Sequence, residues 1–284
     1  MELRKIHIIG LGLLGGSFAL GIKKAFPSVK ISGTDRNPTH LDEAISLGII
    51  DKKSDNPPQD TDIIIIATPV HTISALLQKT LDEIQPETLV MDFGSTKEEI
   101  CKAISQHPKR QNYLAAHPIA GTEYSGPAAA LPDLLLNKIM ILCELEKTDL
   151  NLKAKAYEAF EALNMKIRFM EPHDHDNQLA FVSHLSHISS FMLGKTVLDK
   201  MENDKNIFNM AGSGFASTVR LAKSSPDMWT PIMQENKTNI LEALNGYIKN
   251  LIDFRDNLVN DEYEELFDKM KNTNQIGNIL DLKK

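Results

Sequence analysis

The sequence predicts an α/β domain with a doubly wound sheet, followed by an all-α domain. Up to about residue 170, short β-rich runs alternate with longer amphipathic runs, which is the pattern of a parallel sheet covered by helices. After the segment MEPHDHDNQ the strand signals largely stop, and residues 176–270 read as a succession of helices. We therefore expect two domains, over residues 1–170 and 171–284.

The elements of the first domain follow from local composition. Seven β-rich runs are the expected strands: KIHIIG, VKISGTD, DIIIIATP, TLVMDFGS, NYLAAHP, KIMILCE and KIRFM. The amphipathic runs between them predict helices over 14–25, 39–47, 70–84, 96–106 and 149–163. The nearly unbroken apolar run at 63–67 is typical of a central strand that is buried on both faces. In the second domain, the longest predicted helix has Pro231 in its first turn and apolar residues at helical spacing: Ile240, Leu241, Leu244, Ile248 and Leu251.

A glycine pattern follows the first strand. The segment GLGLLGGS matches G-x-G-x-x-G through Gly10, Gly12 and Gly15, between a predicted strand and a predicted helix. Gly10 permits the tight turn, Gly12 lets the backbone approach a pyrophosphate, and Gly15 lets helix and strand pack closely. Asp35 ends the second strand, where a carboxylate accepts hydrogen bonds from the adenosine ribose hydroxyls. The pattern indicates a Rossmann-type domain that binds a dinucleotide.

The expected dinucleotide is NAD, because the charge of Asp35 would repel the 2′-phosphate of NADP. Arg36 complicates this choice, since an arginine can pair with that phosphate or stack on adenine. Ser95 ends the run DFGS and either lies near the nicotinamide or caps the next helix in a capping box with Glu98. The expected cofactor-binding residues are Gly10, Gly12, Leu14, Gly15, Asp35, Arg36, Thr68, Pro69 and Ser95.

Composition and charge exclude several classes of protein. The net charge of −7 argues against a nucleic-acid or membrane-surface partner, and no apolar run reaches the ~20 residues of a membrane span. The two cysteines have no C-x-x-C spacing, so we expect neither a disulfide framework nor a cysteine zinc site, and a reducing cytoplasm fits. Arg4 and Lys5 before an apolar run imitate a secretory signal, but glycines and a histidine interrupt that run.

The segment LAAHPIAGTEYSG places His117 at the end of a predicted strand, with Glu123 six residues further on. A histidine alone in this position is more often structural than catalytic. The surrounding segments HPIAGTE, GST, VSHLSH and GSGFASTVRLAKSSPDMW, all behind the glycine pattern, closely resemble the prephenate dehydrogenase family over about residues 5–260. The resemblance implies an NAD-dependent enzyme of tyrosine biosynthesis. Such enzymes oxidatively decarboxylate prephenate to 4-hydroxyphenylpyruvate and combine a Rossmann domain with a helical dimerisation domain.

The resemblance also assigns roles to single residues. His117 is the expected general base, because a neutral imidazole can take the hydroxyl proton as hydride leaves. Ser95 would orient that histidine or the hydroxyl, and Arg220 would clamp a substrate carboxylate bidentately. The alternative for Arg220 is the solvated face of a helix that also carries Lys223. The remaining expected substrate-binding residues are Glu123, Thr122, His187, His184 and Trp229, although core packing is the default for a single tryptophan.

Some features leave alternatives open. Ser217 stands where relatives often carry an aspartate, so ion-pair support for Arg220 from that position is missing. His173, Asp174 and His175 lie near the two histidines of VSHLSH, but without H-E-x-x-H or a cysteine partner we expect no metal. The alternative substrate is arogenate. A further alternative enzyme is a reductase of a hydroxy acid or imino acid, which usually carries a catalytic lysine in the helical half, where this chain has histidines. Outside the enzymes, the alternative is a non-catalytic NAD sensor. The helical half is expected to form a homodimer.

Overall fold

The computed structural model describes residues 3–201 and 206–281 and contains one eight-stranded sheet. Its strands are β1 Lys5–Ile9, β2 Lys30–Thr34, β3 Lys52–Lys53, β4 Ile63–Ile66, β5 Leu89–Asp92, β6 Tyr113–Ile119, β7 Ile139–Cys143 and β8 Lys166–Met170. They lie in the order β3-β2-β1-β4-β5-β6-β7-β8. The order of the first six strands reverses between β1 and β4, which is the doubly wound arrangement expected from the sequence.

Helices connect most of the strands and follow the last one. The first five are α1 Leu13–Ala25, α2 Pro38–Ser46, α3 Val70–Glu83, α4 Glu98–Ala103 and α5 Leu150–Ala162. After the sheet come α6 Pro172–Leu179, α7 Leu185–Met201, α8 Ser213–Thr218, α9 Pro226–Glu235, α10 Lys237–Val259, α11 Tyr263–Thr273 and α12 Gln275–Asp281. A π-helical segment, Ala180–His184, joins α6 to α7.

The central strand β4 explains the two-layered core. Its four isoleucines are completely buried, and their side chains alternate between the faces of the sheet. Ile63 and Ile65 belong to a cluster with Phe18 of α1 and Phe160 of α5. Their neighbours on the other face, Ile64 and Ile66, pack with residues of α3 and α4. The prediction of a strand buried on both faces is therefore confirmed.

The alternating sequence pattern predicted a parallel sheet, but one strand pair of the observed sheet is antiparallel. β7 runs antiparallel to β6, with Ile119 opposite Ile139, while β8 is again parallel to β7. The connection over 120–138 begins and ends at the same edge of the sheet, and its only helical turn is the 3₁₀ segment Pro127–Ala129. A parallel neighbour requires a crossover to the opposite edge. The two-residue strand β3 was also absent from the prediction because it is too short to give an alternating pattern.

The helical half differs from expectation at one proline. Pro231 lies inside α9, and the longest helix, α10, begins only at Lys237. By contacts, the chain forms two compact units, residues 1–237 and residues 238–284. Within the described ranges, no helix has both the length and the apolar character that crossing a membrane requires.

Candidate active site

The sheet brings the predicted site residues to one edge. β1, β2, β4, β5 and β6 are parallel to their neighbours in this part of the sheet, so their carboxyl ends share an edge. The glycine loop follows β1, Thr68 and Pro69 follow β4, Ser95 follows β5, and His117 lies near the end of β6. Ligands of doubly wound sheets bind outside this edge, at the reversal of strand order.

Close packing explains two of the three glycines in the loop. Gly10 has φ +97°, and a Cβ there would lie 2.6 Å from the carbonyl oxygen of Ala67. A Cβ on Gly15 would lie 2.2 Å from the oxygen of Gly10, so α1 and the loop can meet only without a side chain. Gly12 differs, because a Cβ there would meet nothing within 4 Å. This open space precedes the N-terminus of α1, where backbone N–H groups attract a phosphate.

Asp35 is connected directly to the glycine loop. Its carboxylate accepts hydrogen bonds from the backbone N–H of Leu11 at 2.9 Å and of Asn37 at 2.9 Å. His40 Nδ1 lies 3.4 Å from the same carboxylate. Arg36 is exposed. The open space at Gly12 suits the pyrophosphate of an adenine dinucleotide, and the carboxylate held at the end of β2 suits its adenosine ribose.

Two further predicted cofactor positions also lie beside the loop. Thr68 Cγ2 would be 2.9 Å from a Cβ on Gly10, and its hydroxyl accepts a hydrogen bond from Thr72 at 2.8 Å. Pro69 immediately precedes α3. Leu14 is half-buried and packs against the core, so its side chain helps to fix α1.

Ser95 does not cap the next helix. α4 begins at Glu98, and the backbone N–H groups of Lys97 and Glu98 donate to the two carboxylate oxygens of Asp176, at 2.7 and 2.9 Å. A carboxylate distant in sequence therefore takes the capping position. This leaves the half-buried Ser95 hydroxyl at the crevice edge.

A buried ion pair fixes the loop that carries Ser95. Lys97 and Asp92 are both fully buried, and the ammonium donates to the Asp92 carboxylate. The same carboxylate accepts hydrogen bonds from the Tyr113 hydroxyl at 2.6 Å and the Gly94 N–H at 2.8 Å. Burial raises the pKa of Tyr113 well above its usual range, so the phenol remains a donor. Breaking such a pair strands a buried charge, which costs about 3–5 kcal/mol.

His117 is almost completely buried and is oriented by another histidine. Its Nδ1 lies 2.9 Å from Nε2 of His175, with the rings edge to face. His175 in turn hydrogen-bonds through Nδ1 to Asp176 at 2.7 Å. Burial is the main reason that the pKa of His117 lies well below 6.5, and repulsion from His175, Lys97 and His184 adds to it. His117 is therefore an uncharged imidazole at neutral pH.

The histidines of VSHLSH surround the only tryptophan. The His187 ring stacks on Trp229 with centroids 3.5 Å apart, and His184 meets the same indole edge to face. Nδ1 of His187 donates to the carbonyl of Ser183 at 3.0 Å. Burial lowers the pKa of His184 to about 4 and also lowers the pKa of His187. The buried indole N–H of Trp229 has no hydrogen-bond partner among the described residues.

Arg220 and Glu123 face each other. Arg220 Nη1 lies 3.8 Å from Glu123 Oε2, and the arginine is the more exposed of the two. Thr122 accepts a hydrogen bond from the N–H of Tyr124 at 3.3 Å. Ser217, in the short helix α8, and Lys223 are exposed. Arg220 therefore has an anionic neighbour from the 117–123 segment, and Ser217 supplies no charge beside it.

One network connects the two halves of the site. The Asn236 amide donates to the carbonyl of Asp176 at 2.6 Å and lies 3.2 Å from Nδ1 of His184. Asp176, His175 and His117 thus join the edge of the sheet to the histidine–tryptophan cluster. No described hydrogen bond joins Ser95 to His117. Within the described parts of the chain, no cluster of three His, Cys, Asp or Glu side chains would hold a metal ion.

The sequence did not indicate several residues of this network. No sequence pattern marks Asp92, Lys97, Asp176 or Asn236, and the sequence offers His175 only as a candidate metal ligand. The available signal was the second His-Asp pair after the proline that begins α6, His175-Asp176. Its significance depends on the contact with β6, which local sequence does not reveal.

Comparison with known proteins agrees with this arrangement. The family model of the prephenate dehydrogenase nucleotide-binding domain matches residues 18–169, and the model of the dimerization domain matches residues 171–272. The prephenate dehydrogenase of Bacillus subtilis (strain 168) is 32% identical over 271 residues, covering 92% of this chain and 72% of that protein.

Solved structures give the same result. The A. aeolicus prephenate dehydrogenase in complex with hydroxyphenyl propionate and NAD⁺ matches with a TM-score of 0.86 and 31% identity, over 96% of each chain. Synechocystis arogenate dehydrogenase matches with a TM-score of 0.76 and 28% identity, over 95% of this chain and 98% of that one. The chain belongs to the prephenate dehydrogenase family.

Proposed function

We propose that this protein is an NAD-dependent prephenate dehydrogenase that converts prephenate to 4-hydroxyphenylpyruvate in tyrosine biosynthesis. The observation that carries the proposal is the uncharged, buried His117 at the sheet edge where the glycine loop also ends. A protein that only bound the cofactor, without catalysing a reaction, would need no such base. Similarity to proteins of this activity, one solved with NAD⁺ and hydroxyphenyl propionate, supports the proposal.

The glycine loop and Asp35 hold the cofactor. The open space at Gly12 receives the pyrophosphate, and the carboxylate of Asp35 accepts hydrogen bonds from the ribose hydroxyls. NAD, when bound, supplies the acceptor for the hydride. Ser95 lies on the nicotinamide side and hydrogen-bonds the substrate hydroxyl. Its side chain is available for this because Asp176, and not Ser95, caps α4.

His117 handles the proton of the reaction. Hydride leaves the ring carbon that bears the hydroxyl, the ring carboxylate departs as carbon dioxide, and the ring becomes aromatic. His117 accepts the hydroxyl proton, and the phenol of the product needs one proton back, so the histidine is restored in each turnover. The low pKa of His117 keeps it ready to accept a proton at neutral pH.

Arg220 supplies the cation that the dianionic substrate requires. A guanidinium holds a carboxylate with two parallel hydrogen bonds, and the long distance to Glu123 leaves it able to turn towards a ligand. Glu123 and Thr122 line the entrance. His187, supported by His184 and stacked on Trp229, contacts the substrate's side chain.

The test is NADH formation followed by absorbance, with prephenate and arogenate offered separately and each assayed with NAD and NADP. We expect turnover of prephenate with NAD. A preference for arogenate would retain the mechanism and change the substrate, as the likeness to an arogenate dehydrogenase allows. Cofactor binding without turnover of either compound would reject the proposed reaction and leave a different substrate or a role as an NAD sensor.

We also propose the finer organisation of the protein. The dinucleotide-binding domain ends and the helical substrate-binding and dimerisation domain begins near residue 171. The end of the last strand at Met170 supports this boundary. A second copy covers exposed apolar side chains of α10 to form a homodimer, and the dimerization-domain match supports this. The buried thiols of Cys101 and Cys143 suit a reducing cytoplasm.

A further inference from the structure

We infer that His175 and Asp176 are positioning residues that fix the tautomer of His117, so that its Nε2 carries the lone pair that accepts the substrate proton. The inference deepens the proposed function and rests on His117 being the base. It is carried by an unbroken hydrogen-bond chain between three buried side chains, with contacts of 2.9 and 2.7 Å. Asp176 and His175 are 2% and 0% exposed, so water does not compete for these bonds.

The carboxylate of Asp176 decides which atom donates in the hydrogen bond between His175 and Asp176. Asp176 already accepts the backbone N–H groups of Lys97 and Glu98, and an ionised carboxylate has no proton to donate. Nδ1 of His175 is therefore the protonated nitrogen. The backbone fixes Asp176, and Asp176 fixes the tautomer of His175.

The same logic passes to His117. Burial lowers the pKa of His175, so the ring is neutral and its Nε2 is an acceptor. Nδ1 of His117 must then donate to it across 2.9 Å. Nε2 of His117, which no other described residue engages, is left unprotonated. Without the chain, the more common Nε2–H tautomer would place a proton where the base needs a lone pair.

The chain also stabilises the charge that forms during the reaction. When His117 takes a proton, the positive ring donates through His175 towards the negative carboxylate of Asp176. A charge on His175 would oppose the charge of His117, as Lys97 before α4 and His184 from the π-helical segment also do. Asp92 and Asp176 both favour the protonated form of His175. The ion pair of Lys97 with Asp92 limits the repulsion between Lys97 and the protonated ring of His117.

A purely structural role for Asp176 is the competing explanation, because its carboxylate caps α4. Loss of activity alone in an Asp176 variant would not separate the two roles. His175 offers a cleaner test, since its side chain bonds only within the chain described above. His175→Leu removes the acceptor for His117, whereas His175→Gln keeps an amide oxygen near the position of Nε2.

The first experiment measures the tautomer directly, by nitrogen NMR of ¹⁵N-histidine-labelled protein, with the His117 signals assigned from His117→Asn. We expect a protonated Nδ1 and an unprotonated Nε2 in the wild type at neutral pH. In His175→Leu the Nε2–H form should appear, and His173→Leu, two residues away and exposed, should change nothing. An Nε2–H tautomer in the wild type, or an unchanged His117 in His175→Leu, would overturn the inference. This readout needs no turnover.

The second experiment tests the consequence for catalysis. His175→Leu should lower kcat for prephenate roughly 100-fold, with KM changed by no more than about threefold and NAD binding retained. His175→Gln should recover part of kcat. The double variant His117→Asn/His175→Leu should be no slower than His117→Asn, because His175 acts only through His117. Losses that multiply would contradict the inference. A wild type inactive on prephenate would reject the proposed function and leave the tautomer measurement valid.

Discussion

Single side chains in this site are defined by their hydrogen-bond partners as much as by their type. His117, Ser95 and Arg220 stand in sequence segments specific enough to predict them. His175 and Asp176 were missed because their significance comes from a contact between α6 and β6, which are 58 residues apart at the paired histidines. A His-Asp pair on a short helix has no local pattern that distinguishes it from a solvated surface.

Arg220 tests the binding half of the site. Arg220→Lys should raise KM for prephenate about 10-fold while kcat changes less, because an ammonium cannot make the two parallel bonds of a guanidinium to a carboxylate. Steady-state kinetics measures both constants. Lys223→Ala, an exposed cation in the same 3₁₀ segment, is the control and should leave KM unchanged. An equal loss in both variants would mean that only general positive charge matters.

At the level of elements, the alternation of strands and helices predicts the layers of the sheet but not every strand direction. The apolar run of β4, the glycine turn before α1 and the seven longer strands follow from local composition. The reversal at β7 does not, because strand direction depends on where the 120–138 connection leads. The start of α4 was also misplaced, since its cap comes from Asp176 and not from the local capping-box pattern.

Buried His7 predicts how acid affects the β1–β2 pair. Its ring hydrogen-bonds Ser32 and Thr34 on β2, and burial lowers its pKa to about 4. Below pH 6.5 the unfolded chain binds a proton that the native ring rejects, so stability is lost as pH falls from 6.5 towards 4. At pH 5 this loss amounts to about 2 kcal/mol.

The measurement is the free energy of unfolding at pH 7 and pH 5. His7→Gln should lose about 2 kcal/mol less than the wild type over this interval, whatever its stability at pH 7. His173→Gln is the control, because the hydrogen bond that His173 donates to the carboxylate of Glu98 raises the pKa of His173, which gives the opposite sign. Parallel pH dependence of His7→Gln and the wild type would show that His7 does not remain neutral.

At the scale of the whole molecule, the unit over residues 238–284 leaves many apolar side chains exposed. Those of α10 include Leu241, Ile248, Leu251, Ile252, Phe254 and Leu258. Exposed apolar surface of this kind marks an interface, and the helical spacing seen in the sequence anticipates it. Sequence alone could not decide between a second copy and burial within the chain, because both require the same apolar stripe.

Light scattering tests the dimer at micromolar concentration. We expect a mass of about twice the 31.7 kDa of one chain. Leu251→Lys should shift the population to monomer, since a buried unpaired ammonium strongly opposes association. Leu150→Lys, at a leucine at the start of α5 that is even more exposed than Leu251, should leave the dimer intact. A monomeric wild type would reject the proposed interface.

The central claim is that His117 accepts the proton of an NAD-dependent oxidation of prephenate. The most direct test compares NADH formation from prephenate by the wild type and by His117→Asn, with NAD binding measured separately in both proteins. We expect kcat to fall about 10²–10⁴-fold in the variant with the NAD dissociation constant unchanged, because the glycine loop and Asp35 do not contact His117. Turnover that survives in His117→Asn would contradict the account.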